Sequence, residues 1–176
     1  MKRQCYGIVL SIALLGGCSQ PHAETQSGGG GGTIKAINHT KWAINNFSVN
    51  GQSGIDAIGP FDGGGGGCCY GVPAVWKPGM TVKIDWETGL GGTEGFPGYE
   101  QWEKYLKWQR KMDMQKKTHS AIVPLPDYSG KETCGITVHF LPCDEVKVTT
   151  SCWSPTNANY PIKLPLEMKE PKVCPR

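Results

Sequence analysis

Long apolar runs are missing from this sequence of 176 residues. The stretch from Ile8 to Leu15 falls far short of the ~20 residues a bilayer-spanning helix needs, and nothing after residue 17 resembles a span. Charge of one sign is also lacking. The chain carries 18 basic and 15 acidic side chains, a net +3, which provides no electrostatic footprint for nucleic acid. The eight cysteines include no Cys-x-x-Cys pair, the spacing on which zinc sites are commonly built. Histidine is scarce. His22, His39, His119 and His139 stand at no metal-ligand spacing.

Catalytic signatures are equally sparse. The run Gly63 to Gly67 invites a phosphate-loop reading, but no Lys-Ser/Thr follows it and no helix N-terminus is placed to receive an anion. It reads as a loop or bulge that permits close backbone approach. Gly51-Gln52-Ser53-Gly54 resembles a nucleophile elbow with its second glycine one place early, outside any strand-to-helix context. A cysteine–histidine enzyme needs a free thiolate, which an oxidising compartment would pair away. Asp56, Asp62, Asp85 and Glu87 could converge for glycosidase chemistry, but carboxylates near a strand are usually only solvated. The expectation is a protein with no catalytic residues, no metal and no cofactor.

What is present begins at the start. Lys2 and Arg3 precede the apolar run, which closes on Leu15-Gly16-Gly17-Cys18. Charge, apolar segment and small residues form a bacterial export signal, and the cysteine directly after the small pair makes it resemble a lipobox. Residues 1–17 are then a lipoprotein signal peptide, and Cys18 becomes the lipidated first residue. Loss of Lys2 and Arg3 lowers the net charge to +1. Ser19 stands where an aspartate would favour inner-membrane retention. The expected location is therefore the periplasmic face of the envelope, lipid-anchored, at the outer membrane. Residues 18–32 comprise the lipidated cysteine and a glycine-rich tether spanning ~20 Å root-mean-square. Residues 33–176 form one β-rich domain with a proline-rich tail, long enough for a real core.

Six cysteines remain: Cys68, Cys69, Cys134, Cys143, Cys152 and Cys174. An even number in an oxidising compartment reads as disulfides, with zinc the competing reading. Gly135 to Leu141 and Glu145 to Ser151 form the strongest strand pair, turning at Pro142-Cys143-Asp144. If that turn centres on residue 143, Cys134 and Cys152 stand equally far from it and face each other at bridge spacing. Cys134 is therefore expected to pair with Cys152. A bridge between neighbours is strained, so Cys68 and Cys69 are expected to point to opposite faces and take different partners.

Other strands are expected at Ile34 to Ile37, Trp42 to Asn50, around Ile55 to Ile58, through Val82, Ile84 and Trp86, and at Ser120 to Val123. Gly51 to Gly54 reads as a turn and Gly89 to Gly98 as a loop. His139 alternates with Val138 and Phe140, which puts it on the solvent face of the hairpin. The tail from Ser154 reads as extended.

Tyr99 to about Lys117 is the helical segment, with Glu100–Lys104 and Glu103–Lys107 at supportive i,i+4 spacing. Tyr99, Trp102, Tyr105, Leu106, Trp108 and Met112 cover about half its circumference, wider than the ~100° stripe that core packing needs. Either all these side chains pack on a sheet, or part of the arc, such as Trp108 and Met112, stays exposed for a protein partner. The predicted fold is mainly β: an antiparallel, sandwich-like α+β domain with one helix inserted between strands, braced by disulfides.

One resemblance emerges from these residues. The lipobox, the glycine run into Cys68-Cys69-Tyr70, Val72-Pro73, Trp76-Lys77-Pro78-Gly79, the Val82-Ile84-Trp86 strand and Val138-His139-Phe140-Leu141-Pro142 together resemble the bacterial lipoprotein family with domain of unknown function 3304. The likeness covers Thr33 to Ser154. It implies an immunity protein against a type VI secretion phospholipase effector: a membrane-anchored, non-enzymatic inhibitor that acts by occlusion. The family supplies no catalytic residues to carry over. Contact candidates are Gly63, Gly64 and Gly65, or Trp102, Trp108 and Met112. The alternative is an envelope structural or ligand-binding lipoprotein without a toxin partner.

Overall fold

Period-two alternation builds two facing sheets. The elements are β1 (Gly32–Asn38), β2 (Ala43–Val49), β3 (Gln52–Ile55), β4 (Asp62–Tyr70), β5 (Thr81–Gly89), α1 (Trp102–Asp113), β6 (Lys117–Pro124), β7 (Thr133–Phe140) and β8 (Val146–Ser151). The computed structural model describes residues 31–175 except 56 and 91–94. Cys18, the signal peptide and all but the end of the tether lie outside the described residues. One sheet runs β4-β1-β7-β8 and the other β3-β2-β5-β6. On β5, Val82, Ile84 and Trp86 turn inward while Thr81 and Lys83 face water, as a half-buried strand requires. Phe47 and Trp86 of the second sheet meet Phe140 of the first at ring-centroid distances of 5.5 and 5.6 Å. The molecule is thus the expected mainly β, disulfide-bridged pair of sheets with one helix. Among the described residues no helix is long and apolar enough to cross a membrane.

One pairing departs from the antiparallel expectation. β1 and β7 run parallel, Ile34 beside Ile136 and Asn38 beside Phe140. The whole second sheet lies between them in the chain, so the backbone re-enters the first sheet in the original direction. A parallel pair needs such a long crossover.

Asn38 closes the corner between the sheets. It is fully buried, and every polar atom of its amide is engaged. Its Nδ2 donates to the carbonyls of Trp42 and Gly59 at 2.6 and 2.8 Å. Its Oδ1 accepts from the Thr40 amide and hydroxyl at 3.0 and 2.8 Å.

Several local expectations need correction. The Gly51–Gly54 turn is tighter than expected. Asn50 and Gly51 carry the positive φ angles, 50° and 82°, and Gln52 already begins β3. Asn-Gly is the pair a two-residue hairpin favours. Gly54 is needed for space, since a Cβ there would fall 2.0 Å from the Phe47 ring. Ile58 makes only an isolated bridge with Ile44. Gly63 to Gly67 is the body of edge strand β4, paired with β1, rather than a loop; the bulge read as its alternative is present, since Gly66 is skipped between the pairs Ile34–Gly67 and Lys35–Gly65. Gly67 lies so near the Gly54 carbonyl that a Cβ would fall 2.1 Å from its oxygen, a close approach of β4 to β3 that only glycine permits.

The bridge Cys134–Cys152 forms as expected, with Cα atoms 4.9 Å apart. Cys143 pairs with Cys174, Cα atoms 5.4 Å apart. Those two bonds use four of the six cysteines. Cys68 and Cys69 therefore pair with each other rather than with separate partners.

Candidate functional site

Helix α1 and the residues flanking it carry three exposed large apolar side chains, Tyr99, Trp102 and Met114. The helix is shorter than expected because Gly98 turns the chain with φ 82° and Lys117 already enters β6. Glu103 in the first turn and Arg110 and Lys111 in the last complement the helix dipole. Lys104 reaches Gln101 Oε1 at 2.7 Å, and Gln101 Nε2 donates to the Pro97 carbonyl at 2.8 Å.

No residue of α1 is buried. Its rings pack on one another. Phe96 lies 5.0 Å from Tyr99, 6.1 Å from Tyr105 and 5.2 Å from Trp108, centroid to centroid. Tyr105 stacks with Trp102 at 5.4 Å and with Trp108 at 6.2 Å. Such pairs contribute about 0.5–1.5 kcal/mol each beyond area burial, which helps to hold the helix. The aromatic arc therefore does not pack wholly on a sheet. Trp108 and Met112 are half-buried, whereas Trp102 and Tyr99 are 60% and 70% exposed. Phe96, central to the cluster, belongs to a stretch that the sequence reads only as a glycine loop. Its one sequence signal is an aromatic ring set directly before Pro97 and the helix.

The other contact candidates, Gly63, Gly64 and Gly65, lie on the exposed edge strand β4. The structure shows no extensive packing between β4 and α1, so the two surfaces are separate features of the fold.

The four carboxylates that could have converged do so only in part. Asp85 and Glu87 line one open groove of about 550 Å³ with Ser48, Ser53 and His119. Asp62 stands on β4, and Asp56 lies outside the described residues. Lys83, 2.9 Å from Asp85, holds that carboxyl below the usual carboxylate range, with Ser120 assisting. Glu87 accepts from Asn45 Nδ2 at 2.8 Å. For Asp85 this is the opposite of the raised pKa that a general acid needs. Thr88 Oγ1 lies 3.0 Å from His119 Nε2, and His119 Nδ1 lies 3.5 Å from Asp144. The order resembles a nucleophile–base–acid relay, but the cavity at Thr88 and Asp144 is about 30 Å³, space for a water rather than a substrate.

His139 is not on a solvent face. The tail beyond β8 crosses the outer side of β1 and β7 and buries it, with Tyr160 as the anchor. His39 Nδ1 contacts the Pro165 carbonyl at 2.7 Å. His39 Nε2 faces His139 Nδ1 at 2.9 Å, and His139 Nε2 faces the Tyr160 hydroxyl at 2.7 Å. A carbonyl can only accept, so His39 Nδ1 carries its hydrogen. His139 Nδ1–H then donates to His39 Nε2, and Tyr160 O–H donates to His139 Nε2. Burial pushes the Tyr160 phenol up to about 12, which keeps it the donor. The arrangement is a closed chain of neutral donors and acceptors that fastens the tail.

No curated protein and no solved structure matches this chain. One family model does, described as "Protein of unknown function (DUF3304)", over residues 37–148. The matched span runs from β1 to β8 and takes in His39, Cys68, Cys69, α1 and His139, but leaves out Cys152, Tyr160 and Cys174. With well over half its length matched, the chain belongs to the family described as DUF3304.

Proposed function

We propose that this protein is a lipid-anchored immunity protein that binds a type VI secretion phospholipase effector and blocks it by occlusion, with no chemistry of its own. The observation that carries the reading is α1, a helix without a buried residue that displays Trp102 to solvent, with the exposed Tyr99 just ahead of it. Exposed aromatic residues and arginine are typical anchors of protein interfaces. Lys104, Lys107, Arg110 and Lys111 supply a cationic frame. The class of partner comes from the resemblance of the sequence, and the lipid anchor expected at Cys18 would hold the inhibitor at the phospholipid surface under attack. Disulfide bracing limits the freedom lost on binding.

The test is inhibition of type VI secretion phospholipase effectors, using the full chain and its Trp102→Ala and Tyr99→Ala variants. The wild type should form a complex and suppress phospholipid hydrolysis, and each variant should weaken binding at least tenfold with an unchanged circular dichroism spectrum. No complex and unaltered hydrolysis would overturn the proposal. A second reading, a ligand-binding envelope lipoprotein, is favoured by a groove of about 640 Å³ lined by Asp127, Lys131, Glu132 and Trp153.

A further inference from the structure

The three bridges differ in what they join. Cys134–Cys152 and Cys143–Cys174 span 18 and 31 positions, and each closes a loop whose freedom it removes from the unfolded chain. Cys68–Cys69 spans 1. It encloses no such loop and staples no second element, so global stabilisation does not explain it. Its effect must be local or chemical.

Its local setting is a slip in strand pairing. Gly32 pairs with Tyr70, but Ile34 pairs with Gly67. Cys68 and Cys69 therefore stand together opposite the single residue Thr33, which is a β-bulge. Beyond them the strand is Gly63 to Gly67, with no side chain to specify which residue of β1 each should face. Register in glycine-rich strands is weakly determined. Tyr70 is the buried anchor at one end, and Asp62 at the other end is exposed. Both cysteines are solvent-exposed on the sheet edge. A Cβ built on Gly31 would lie 3.9 Å from the Cys69 Cβ, so the chain coming from the tether enters the fold beside this pair.

The geometry points to Cys68–Cys69 as a thiol-exchange site for a dithiol reductant, at which opening the ring releases the register of β4. A thiolate of the reductant attacks one Sγ and forms a mixed disulfide. The protein S–S bond breaks, and the departing Sγ takes a proton. The second thiolate of the reductant then attacks the mixed bond. The products are the Cys68 and Cys69 thiols and a reductant oxidised to its disulfide, with two electrons and two protons transferred. The other two bridges and the core between the sheets are untouched by this step. With the ring open, the two-against-one bulge is no longer held, and the glycine strand is free to shift along β1.

Dithiothreitol is the probe. The full chain is equilibrated in mixtures of reduced and oxidised dithiothreitol and alkylated, and its peptides are weighed. A parallel set is read by amide hydrogen exchange without alkylation. Cys68 and Cys69 should open at a reduced-to-oxidised ratio at least tenfold lower than the other four cysteines. Exchange across β4 should then rise at least tenfold while β5 keeps its protection. A Cys68→Ser/Cys69→Ser double variant should show the same fast β4 exchange with no reductant present. Simultaneous opening of all three bridges, unchanged β4 exchange after Cys68 and Cys69 open, or alkylation of that pair without reductant would each overturn the proposal. Should the double variant fail to fold, the wild-type titration decides alone.

Discussion

His39 and His139 meet edge to edge on the parallel pair β1–β7, Nε2 to Nδ1 at 2.9 Å, with 2% and 1% of their surfaces exposed. Between them lies a single shared hydrogen. A second proton on His139 would have to sit on Nε2 and displace the Tyr160 hydroxyl from its donor role, in a site from which water is shut out.

The first prediction concerns acid. Burial, then the neighbouring His39 and Lys147, push the His139 imidazole down to about 4 from its ordinary value of 6.5. Below pH 6.5 the unfolded chain takes up a proton that the folded one refuses. Stability is therefore full above the unfolded value and falls as pH drops toward 4, by on the order of 3 kcal/mol in all. Urea midpoints measured from about pH 7.5 to 4 should trace this fall, and His139→Leu should flatten it even if that variant is less stable throughout.

Tyr160→Phe removes the donor to His139 Nε2 and leaves a buried acceptor unsatisfied. A loss of about 1–2 kcal/mol is expected. A double-mutant cycle between Tyr160→Phe and His139→Leu should show coupling of similar size, measured by urea denaturation at neutral pH.

Asn38→Leu should be among the most damaging substitutions in the chain. It strands the Gly59 carbonyl and the Thr40 amide and leaves the Trp42 carbonyl only the Thr40 hydroxyl, 3.2 Å away. About 3 kcal/mol or more should be lost, visible as a lower thermal midpoint.

The glycine run is predicted to be unequal. Alanine at position 63 meets nothing nearer than 3.7 Å, and at position 64 likewise 3.7 Å, so both substitutions should shift the melting point little. Gly67→Ala would drive its Cβ into the Gly54 carbonyl and should cost several degrees. Equal effects at all three positions would contradict the observed pairing of β4.

Alternation makes the strands readable. Val82, Ile84 and Trp86 pack as their spacing predicts, and the symmetry of the hairpin about residue 143 correctly pairs Cys134 with Cys152. Long-range covering is not readable. His139 occupies a polar-face position in its own strand, and only a tail residue far along the chain, Tyr160, makes that position interior. Gly63 to Gly67 carries no periodicity at all, so its strand character comes entirely from the partner β1. The aromatic arc of α1 is plain in the sequence, but its width does not say which rings face water. That depends on Phe96, outside the helix, drawing Tyr105 and Trp108 together.

The bridges Cys134–Cys152 and Cys143–Cys174 interleave along the chain, the second opening before the first has closed. Every peptide bond from Cys134 to Cys174 is consequently spanned by at least one of them. A protease that nicks the proline-rich tail once before Cys174 would release no fragment: the molecule would gain only the mass of one water and one new pair of termini, and its pieces would stay joined.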